Sequence, residues 1–386
     1  MERNIFNRFN TLLQWGIFIC INILFVCKYV PRVGLNSVVC AIVYGVLVCC
    51  FAFLYQRIIV SRLSVRIARN TSIFLLIGII VLIALAIIFI PPLSIRVDRW
   101  SATSYFLDAL FHGIYPYSVH THVCDTNYPS PFPLWHYLHI PFWLVGDVGW
   151  QQGFFLLLFL GAVWYYFRSW HTLLTIILLL CLSPAYWWEI ATRSDGVSNA
   201  FFAASCILFI ERKQLHIQNQ WWKLAIIAGC IASTRLSAVI PLALYLFQPW
   251  LKANWKDRLV FIGIVLCVVG FFFIPYIFWD IENWVFFQRN PFITQALLGN
   301  KWLLMPMIGI AAIIAYKKKT FYYFTSTTSL YMFAFMLVCQ FCILILPNES
   351  PLSLNDIYYD ISYLTLAIPY TILTLGLKTK LSLKQK

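Results

Sequence analysis

Long apolar runs separated by short polar connectors make up most of this chain. Because the runs are continuous and do not alternate between polar and apolar positions, they favour an all-α polytopic membrane protein over a β-barrel. Several runs are shorter than the about 20 residues of an upright span, so the pattern predicts about 12 transmembrane helices, within about 10–13. The predicted spans are 12–30, 38–55, 72–93, 152–167, 171–187, 197–211, 222–234, 237–249, 258–278, 301–316, 329–346 and 359–376.

The longest segment that is neither a span nor a short connector runs from Val97 to Trp150. It holds five of the seven histidines and four of the 14 acidic residues, from Asp98 to Asp147. We interpret residues 1–386 as a single transmembrane domain with a large external loop at 97–150. A polar loop in so apolar a chain is where we expect the chemistry.

The first part of this loop has the periodicity of a helix. Between Asp98 and Gly113, apolar residues recur every three or four positions on one face, and a second face carries Asp108. The pattern predicts an amphipathic helix in the membrane interface, ended by Gly113. Three prolines at 129–133 then predict a rigid extended segment before the chain returns to the membrane.

The distribution of charge changes the interpretation of the formal net charge of +14, which in a soluble protein would suggest a nucleic-acid partner. With both termini placed in the cytoplasm, 20 of the 28 Lys and Arg residues fall in internal segments, as the positive-inside rule requires. Eleven of the 14 acidic residues fall outside. Because acidic residues contribute little to topology, their external concentration indicates a site on that face.

The cysteine and histidine patterns predict neither a disulfide framework nor a zinc site. Nearly all of the 12 cysteines lie inside apolar runs, so the sequence predicts no disulfide framework. His120 and His122 form an HxH pair, but no helical HExxH motif or suitable cysteine pair completes the three or four ligands of a zinc site. We therefore assign no metal ligand and no certain cofactor, and leave a divalent metal ion open.

The large loop resembles the first external loop of the GT-C glycosyltransferases, in particular the polyprenyl-phosphate-mannose-dependent bacterial mannosyltransferases and their aminoarabinose-transferase relatives. In that pattern an Asp follows a span, an interfacial helix ends in G-x-x-P-Y, and a Y-P-rich segment leads into the next span. The matching features here are Asp98, a helix that contains Tyr105, the segment from Gly113 to Tyr117, Tyr128-Pro129 and Pro133.

Three later segments extend the resemblance, which covers roughly residues 75–376. Ala191–Phe201 looks like the second external loop, residues 224–247 look like short paired spans with Arg235 at their turn, and Asn290–Gln295 also looks familiar. The chain departs from the family in having two predicted spans before the usual first one. It also has Asp98-Arg99 where some relatives have Asp-Glu, which weakens a metal-dependent mechanism.

The resemblance implies an inverting membrane glycosyltransferase that transfers a hexose such as mannose from a polyprenyl-phosphate donor to a glycan or glycolipid acceptor on the external face. Family members place their catalytic Asp at the position of Asp98, which implies that Asp98 is the general base. An alternative role for Asp98 is a helix N-cap, which would stabilise by about 1 kcal/mol.

The remaining candidates are substrate-binding residues. Guanidinium groups suit phosphate oxygens, and the candidates are Arg99, Arg193, Arg235 and Arg289. Arg235 lies between two short apolar runs, so it either binds the donor phosphate or extends to the membrane interface. Asp195 is open between substrate binding, an ion pair with Arg193 and a helix cap. Acceptor hydroxyls or sugar rings would contact Asp125, Tyr105, Tyr117 and Tyr128, although most aromatic residues are expected in the interfacial belt.

Three other classes of membrane protein remain open from the sequence: a transporter or flippase, a polysaccharide polymerase, and a non-catalytic structural membrane protein. A polytopic transporter or a lipid-linked oligosaccharide flippase also fits 12 spans, but its coupling acids usually lie at mid-span and not in external loops. A polysaccharide polymerase would be expected to place its large loop late in the chain. We expect a bacterial inner (plasma) membrane protein of cell-envelope glycan synthesis, with membrane lipids and no nucleic acid as partners.

Overall fold

The structure is a computed structural model that describes residues 2–55, 62–218, 220–296, 301–317, 320–345 and 360–384. These residues form helices, turns and connecting segments, and no β-strand occurs among them. The predicted all-α class is therefore confirmed for the described part of the chain.

Seventeen α-helices occur in the described residues. They are α1 (Glu2–Tyr29), α2 (Ser37–Leu54), α3 (Val65–Phe89), α4 (Arg99–Phe111), α5 (Pro133–Leu144), α6 (Gln151–Phe167), α7 (Trp170–Cys181), α8 (Pro184–Ala191), α9 (Gly196–Lys213), α10 (Trp221–Ala232), α11 (Leu236–Lys252), α12 (Trp255–Ile277), α13 (Val285–Gln288), α14 (Pro291–Ala296), α15 (Lys301–Tyr316), α16 (Phe321–Ile345) and α17 (Ile368–Lys384).

Six helical segments of the described chain are long and apolar enough to cross a membrane, or seven if α7 and α8, bent by 69°, form one span. The six are Phe9–Val33, Ser37–Leu54, Val65–Phe89, Val148–Phe167, Trp255–Ile277 and Ile361–Thr379. This supports an integral membrane protein, but the predicted 12 spans are not confirmed. Every predicted span overlaps a helix, yet several helices are too short. The 12 residues of α10, for example, cover about 18 Å of a hydrocarbon core about 30 Å thick.

The helices pack into two compact units, each assembled from separate stretches of sequence. The first unit comprises Met1–Leu82, Val163–Glu189 and Lys318–Lys386. Within it, α17 packs on α1, α7 and α16. Buried amide groups join its helices: Asn22 Oδ1 accepts hydrogen bonds from Ser183 Oγ at 2.7 Å and from the Ala185 amide at 3.1 Å. Satisfied polar groups of this kind fix the mutual positions of otherwise apolar helices.

The second unit comprises Ile83–Ala162 and Ile190–Lys317, and it contains every candidate site residue of the sequence analysis. Its core brings together Phe106, Tyr117, Phe132 and Tyr276 from α4, the following loop and α12. Helices α10 and α12 approach closely at Gly229, where a Cβ atom would lie 2.6 Å from Val268 Cβ. A side chain at that position would therefore push the two helices apart.

The predicted helix of the large loop is present as α4, and Gly113 follows it with φ +71°. Its packing differs from the predicted amphipathic pattern. Phe106 and Leu107 are fully buried, whereas Phe111 and Ile114, which the three- and four-residue spacing places on the same apolar face as Leu107, are 54% and 55% exposed. Helix α4 packs on α5 and on the turn at 116–118, so tertiary contacts and not periodicity alone decide which residues are buried.

The predicted extended segment is also present. Residues 127–132 contain no helix, and α5 begins at Pro133 itself. Proline is tolerated in the first turn of a helix because the amide hydrogen that it lacks would have no intrahelical acceptor there. The three prolines therefore set both the end of the extended segment and the start of α5.

Candidate functional site

Asp98 lies immediately before α4, and its side chain does not cap that helix. Its Oδ2 atom accepts a hydrogen bond from Asn127 Nδ2 at 3.0 Å, and its Oδ1 atom lies 4.0 Å from Arg99 Nε. The side chain is 28% exposed. The geometry removes the capping role that the sequence left open, and leaves a carboxylate that is held on one side and accessible on the other.

The backbone at Asp98 is fixed by Ser101 and His122. Ser101 Oγ lies 3.0 Å from the Asp98 carbonyl oxygen and 2.7 Å from His122 Nδ1. His122 Nε2 lies 3.1 Å from the Ile95 carbonyl oxygen, to which it can only donate. In the neutral ring, Nδ1 is therefore an acceptor, and the single Ser101 hydroxyl proton is donated either to Nδ1 or to the Asp98 carbonyl oxygen. This arrangement ties the 120s loop to the first turn of α4.

Asn127 is held in turn by its own backbone. The Asn127 carbonyl oxygen accepts from the Thr121 amide at 2.9 Å, and the Asn127 amide donates to the Cys124 carbonyl oxygen at 3.1 Å. The side-chain amide is thus presented to Asp98 from a closed turn. Sequence reasoning missed Asn127, because nothing in its spacing connects it with a carboxylate 29 residues earlier.

Next to Asn127, Tyr128 connects the large loop to a later one. The guanidinium carbon of Arg289 lies 4.0 Å from the centroid of the Tyr128 ring. The Arg289 carbonyl oxygen accepts from the Tyr115 hydroxyl at 2.8 Å, and the His120 ring lies 4.8 Å from the Tyr128 ring. The Arg289 side chain is exposed, and in the described part of the chain it has no carboxylate partner. It is therefore available to an anion.

A buried cluster centred on Asp195 lies at the start of α9. Arg235 makes a two-pronged contact with this carboxylate, from Nε to Oδ2 at 3.1 Å and from Nη2 to Oδ1 at 2.6 Å. Trp135 Nε1 donates to Oδ2 at 2.6 Å, and Arg99 Nη1 lies 3.9 Å from Oδ1. Burial alone favours the neutral acid, but Arg235 and Arg99 outweigh it and lower the pKa of the Asp195 carboxyl below its ordinary value.

This cluster changes the expectation for two residues. Arg235 lies immediately before α11, between α10 and α11, but its guanidinium contacts a protein carboxylate. A role for Arg235 in phosphate binding stays a prediction that would require the pair with Asp195 to rearrange. Asp195 precedes α9 without a side-chain capping bond, and its recorded ionic partners are Arg235 and Arg99, not Arg193.

Arg193 forms a separate ion pair with Asp147. Its Nε atom lies 3.2 Å from Asp147 Oδ2, and its Nη2 atom donates to the Ile87 carbonyl oxygen at 2.6 Å. Asp147 also accepts from Trp100 Nε1 at 3.1 Å and from the Gly149 amide at 2.7 Å. These contacts join the two ends of the large loop to the start of α9, and the predicted role of Arg193 in substrate binding stays a prediction.

The remaining candidates lie in different environments. Tyr117 is fully buried in the core and donates to the Pro131 carbonyl oxygen at 3.1 Å, so it contacts protein and not solvent. Tyr105 is half-buried, with its ring 6.2 Å from that of Trp100. Asp125 is exposed in the 120s loop. Of these three, Asp125 and Tyr105 are accessible to a ligand.

The described residues contain no group of three or more His, Cys, Asp or Glu side chains that could hold a metal ion. A comparison of the chain with protein-family models found no match, and neither did searches of curated proteins and of solved structures.

Proposed function

We propose that this protein is an integral membrane glycosyltransferase that transfers a sugar from a polyprenyl-phosphate donor to a glycan or glycolipid hydroxyl. The observation that carries the proposal is a continuous line of contacts. Arg289 lies over Tyr128, Tyr128 follows Asn127 in the chain, and Asn127 donates to Asp98. An accessible carboxylate and an exposed guanidinium are thereby held on the same pair of loops.

The reaction assigned to this arrangement needs both groups. The acceptor hydroxyl loses its proton to the Asp98 carboxylate while its oxygen bonds to the anomeric carbon of the sugar. The bond from that carbon to the phosphate oxygen breaks, and its electron pair remains on the polyprenyl phosphate. Attack from the face opposite the leaving group inverts the anomeric configuration.

Arg289 is our preferred ligand for the leaving phosphate. A guanidinium group offers a planar fork of donors that matches phosphate oxygens, and it stabilises the negative charge that develops as the sugar departs. The other three arginine candidates each have a recorded carboxylate contact: Arg99 with Asp98 and Asp195, Arg193 with Asp147, and Arg235 with Asp195. Of these four arginines, Arg289 is therefore the one that can bind the donor without breaking an ion pair seen in the described part of the chain.

Deletion of the gene tests the proposed function directly, because the lipid-linked sugar should then accumulate and wild-type protein should reverse this. Substitution of Arg289 tests its role in donor binding. In purified protein, Arg289→Ala should weaken donor binding about 10- to 100-fold, as expected for the loss of hydrogen bonds to a charged group. Arg289→Lys should restore only part of the affinity, because an ammonium group lacks the fork.

Arg32 offers a matched control for this experiment. It also lies over a tyrosine ring, 4.8 Å from the centroid of Tyr29, but in the other unit. Arg32→Ala should leave donor affinity unchanged. Equal affinity of wild type and Arg289→Ala would remove Arg289 from the site, and a deletion strain without any lipid-linked sugar would overturn the proposed function.

The proposed site lies on the external face of the plasma membrane of a bacterium, with both termini in the cytoplasm. The charge asymmetry of the connectors supports this orientation. His120 is exposed in the large loop and provides a labelling position. A His120→Cys variant, in a Cys124→Ser background, should react with a membrane-impermeant thiol reagent in intact cells. Reaction only after permeabilisation would reverse the topology.

A further inference from the structure

A cavity of about 520 Å³ lies where α9 and α10 meet, within the second unit and apart from the residues of the proposed site. Its volume falls in the about 300–1,000 Å³ range of pockets that hold small organic ligands. Both lysines lie at the loop end of the cavity beside Leu215 and Trp222, and Phe209, Ile226 and Ile227 line the cavity further into the helices. A ligand that fits this lining must itself be anionic at one end and apolar at the other.

The cavity wall changes from charged to apolar in the same direction along both helices. On α9, Phe209 lies four residues before Lys213, near the end of that helix. On α10, Lys223 lies near the start and Ile227 four residues later. Residues four apart share one face of a helix, so on both helices the lysine lies at the connecting loop and the apolar residue lies one turn further in.

Two further features mark the loop end as an anion site at a membrane surface. Trp222 is 49% exposed, and tryptophan is enriched at the level of lipid head groups. Helix α10 begins without a side-chain cap, so its first amide groups add positive potential beside Lys223. The loop end therefore attracts an anion, and exposed Ile226 continues the apolar end toward the lipid chains.

We infer that this cavity binds an anionic phospholipid of the cytoplasmic leaflet, with its phosphate between Lys213 and Lys223 and the start of its acyl chains against Phe209 and Ile226. A complete phospholipid exceeds the volume of the cavity, so the rest of each chain lies in the bilayer. Basic pockets between membrane helices on the cytoplasmic side are suited to such head groups. The positive-inside rule assigns both lysines to the internal side of the membrane.

Titration of the purified chain in neutral detergent with fluorescent phosphatidylglycerol, and with phosphatidylcholine of the same acyl chains, tests this site. Phosphatidylglycerol should bind more tightly. The double variant Lys213→Gln, Lys223→Gln should weaken that binding about 30-fold, at about 1 kcal/mol for each lysine near the head group. Lys223→Gln alone should weaken it about fivefold, which keeps the test available if the double variant does not fold.

The double variant Lys252→Gln, Lys256→Gln is the matched control, because it removes the same charge from the end of α11 and the start of α12. It should bind phosphatidylglycerol as wild type does. Equal binding of the two lipids, or an equal loss in the control, would overturn the site. Displacement of the lipid by the same concentration of glycerol 3-phosphate would show an occupant without chains and would also overturn the inference.

Discussion

The substitution Asp98→Asn is expected to lower the transfer rate about 10²- to 10⁴-fold, the range associated with loss of a general base. The amide is nearly the same size as the carboxylate but cannot accept a proton from the acceptor hydroxyl. Its oxygen can still accept from Asn127 Nδ2, as Asp98 Oδ2 does at 3.0 Å. The effect should therefore fall on the rate and not on donor affinity.

Folding should tolerate this substitution. The Asp98 side chain does not cap α4, and its contact with Arg99 is long, at 4.0 Å, on a partly exposed side chain. Ion pairs of this kind contribute about 0–1 kcal/mol. The apparent melting temperature of the variant in detergent should therefore stay close to that of wild type.

Single-turnover kinetics with a lipid-linked sugar and an acceptor measure the effect, alongside donor affinity. Asp280→Asn provides a control, since it changes an acid of another loop that bonds to Asn283. That control should transfer sugar at the wild-type rate. Turnover of the Asp98→Asn variant near the wild-type rate would exclude Asp98 as the base.

Removal of the Arg235 side chain is expected to have the largest effect on stability. Arg235 is 4% exposed and Asp195 is 2% exposed, and the guanidinium makes a two-pronged contact with the carboxylate. Arg235→Ala leaves a buried carboxylate with the Trp135 indole and the more distant Arg99. Breaking a buried ion pair on one side costs about 3–5 kcal/mol. The variant should melt at a clearly lower temperature or fail to accumulate.

Further variants distinguish the loss of the ion pair between Arg235 and Asp195 from the effect of the empty space that Arg235→Ala leaves. Arg235→Lys should recover only part of the stability, because a single ammonium replaces the fork. Asp195→Asn combined with Arg235→Gln should be more stable than Arg235→Gln alone, since no buried charge remains unpaired. Arg258 donates to the Ala253 and Leu251 carbonyl oxygens and lies over the Trp250 ring, and in the described part of the chain it has no carboxylate partner. Arg258→Ala should therefore cost less, about 1–3 kcal/mol. Equal losses for the Arg235 and Arg258 variants would contradict the role of the ion pair.

The pH dependence of this difference follows from the lowered pKa of Asp195. A carboxyl group with a lowered pKa in the folded state contributes its full stability above the unfolded value of about 3.9. The contribution is lost only as the pH falls through the folded pKa. Between about pH 5 and 8 the wild type therefore keeps this contribution in full. In Arg235→Ala, burial without the guanidinium raises the pKa of Asp195, so that variant gains stability as the pH falls and the carboxyl takes up a proton. The gap in melting temperature should therefore narrow toward pH 5, and a constant gap would contradict a buried, unpaired carboxylate in the variant.

The order of the helices could be predicted from the sequence, because apolar periodicity and proline determine helix boundaries through neighbouring residues. The helix of the large loop, its end at Gly113 and the start of α5 after the proline segment all follow from residues within one turn of the boundary. The number of membrane spans could not be predicted from neighbouring residues in this way. Apolarity predicts a helix, but its length depends on where polar residues such as Arg235 interrupt it.

The two-unit packing was also beyond local reasoning. Each unit alternates with the other along the chain, so no linker or change in composition marks a boundary. In the same way, the buried face of α4 differs from the predicted one because α5 and the turn at 116–118 cover Phe106, while nothing in its own unit buries Phe111 to the same degree.

For the candidate site, the sequence by itself supplied the residue types and their setting: a carboxylate after a span, a polar loop and several arginines. The tertiary structure decided the partners. It paired Arg235 with Asp195 and Arg193 with Asp147, and it brought Asn127 to Asp98 and Arg289 to Tyr128. Pairing depends on distances between segments tens to more than a hundred residues apart, and hydrophobic periodicity carries no information about them.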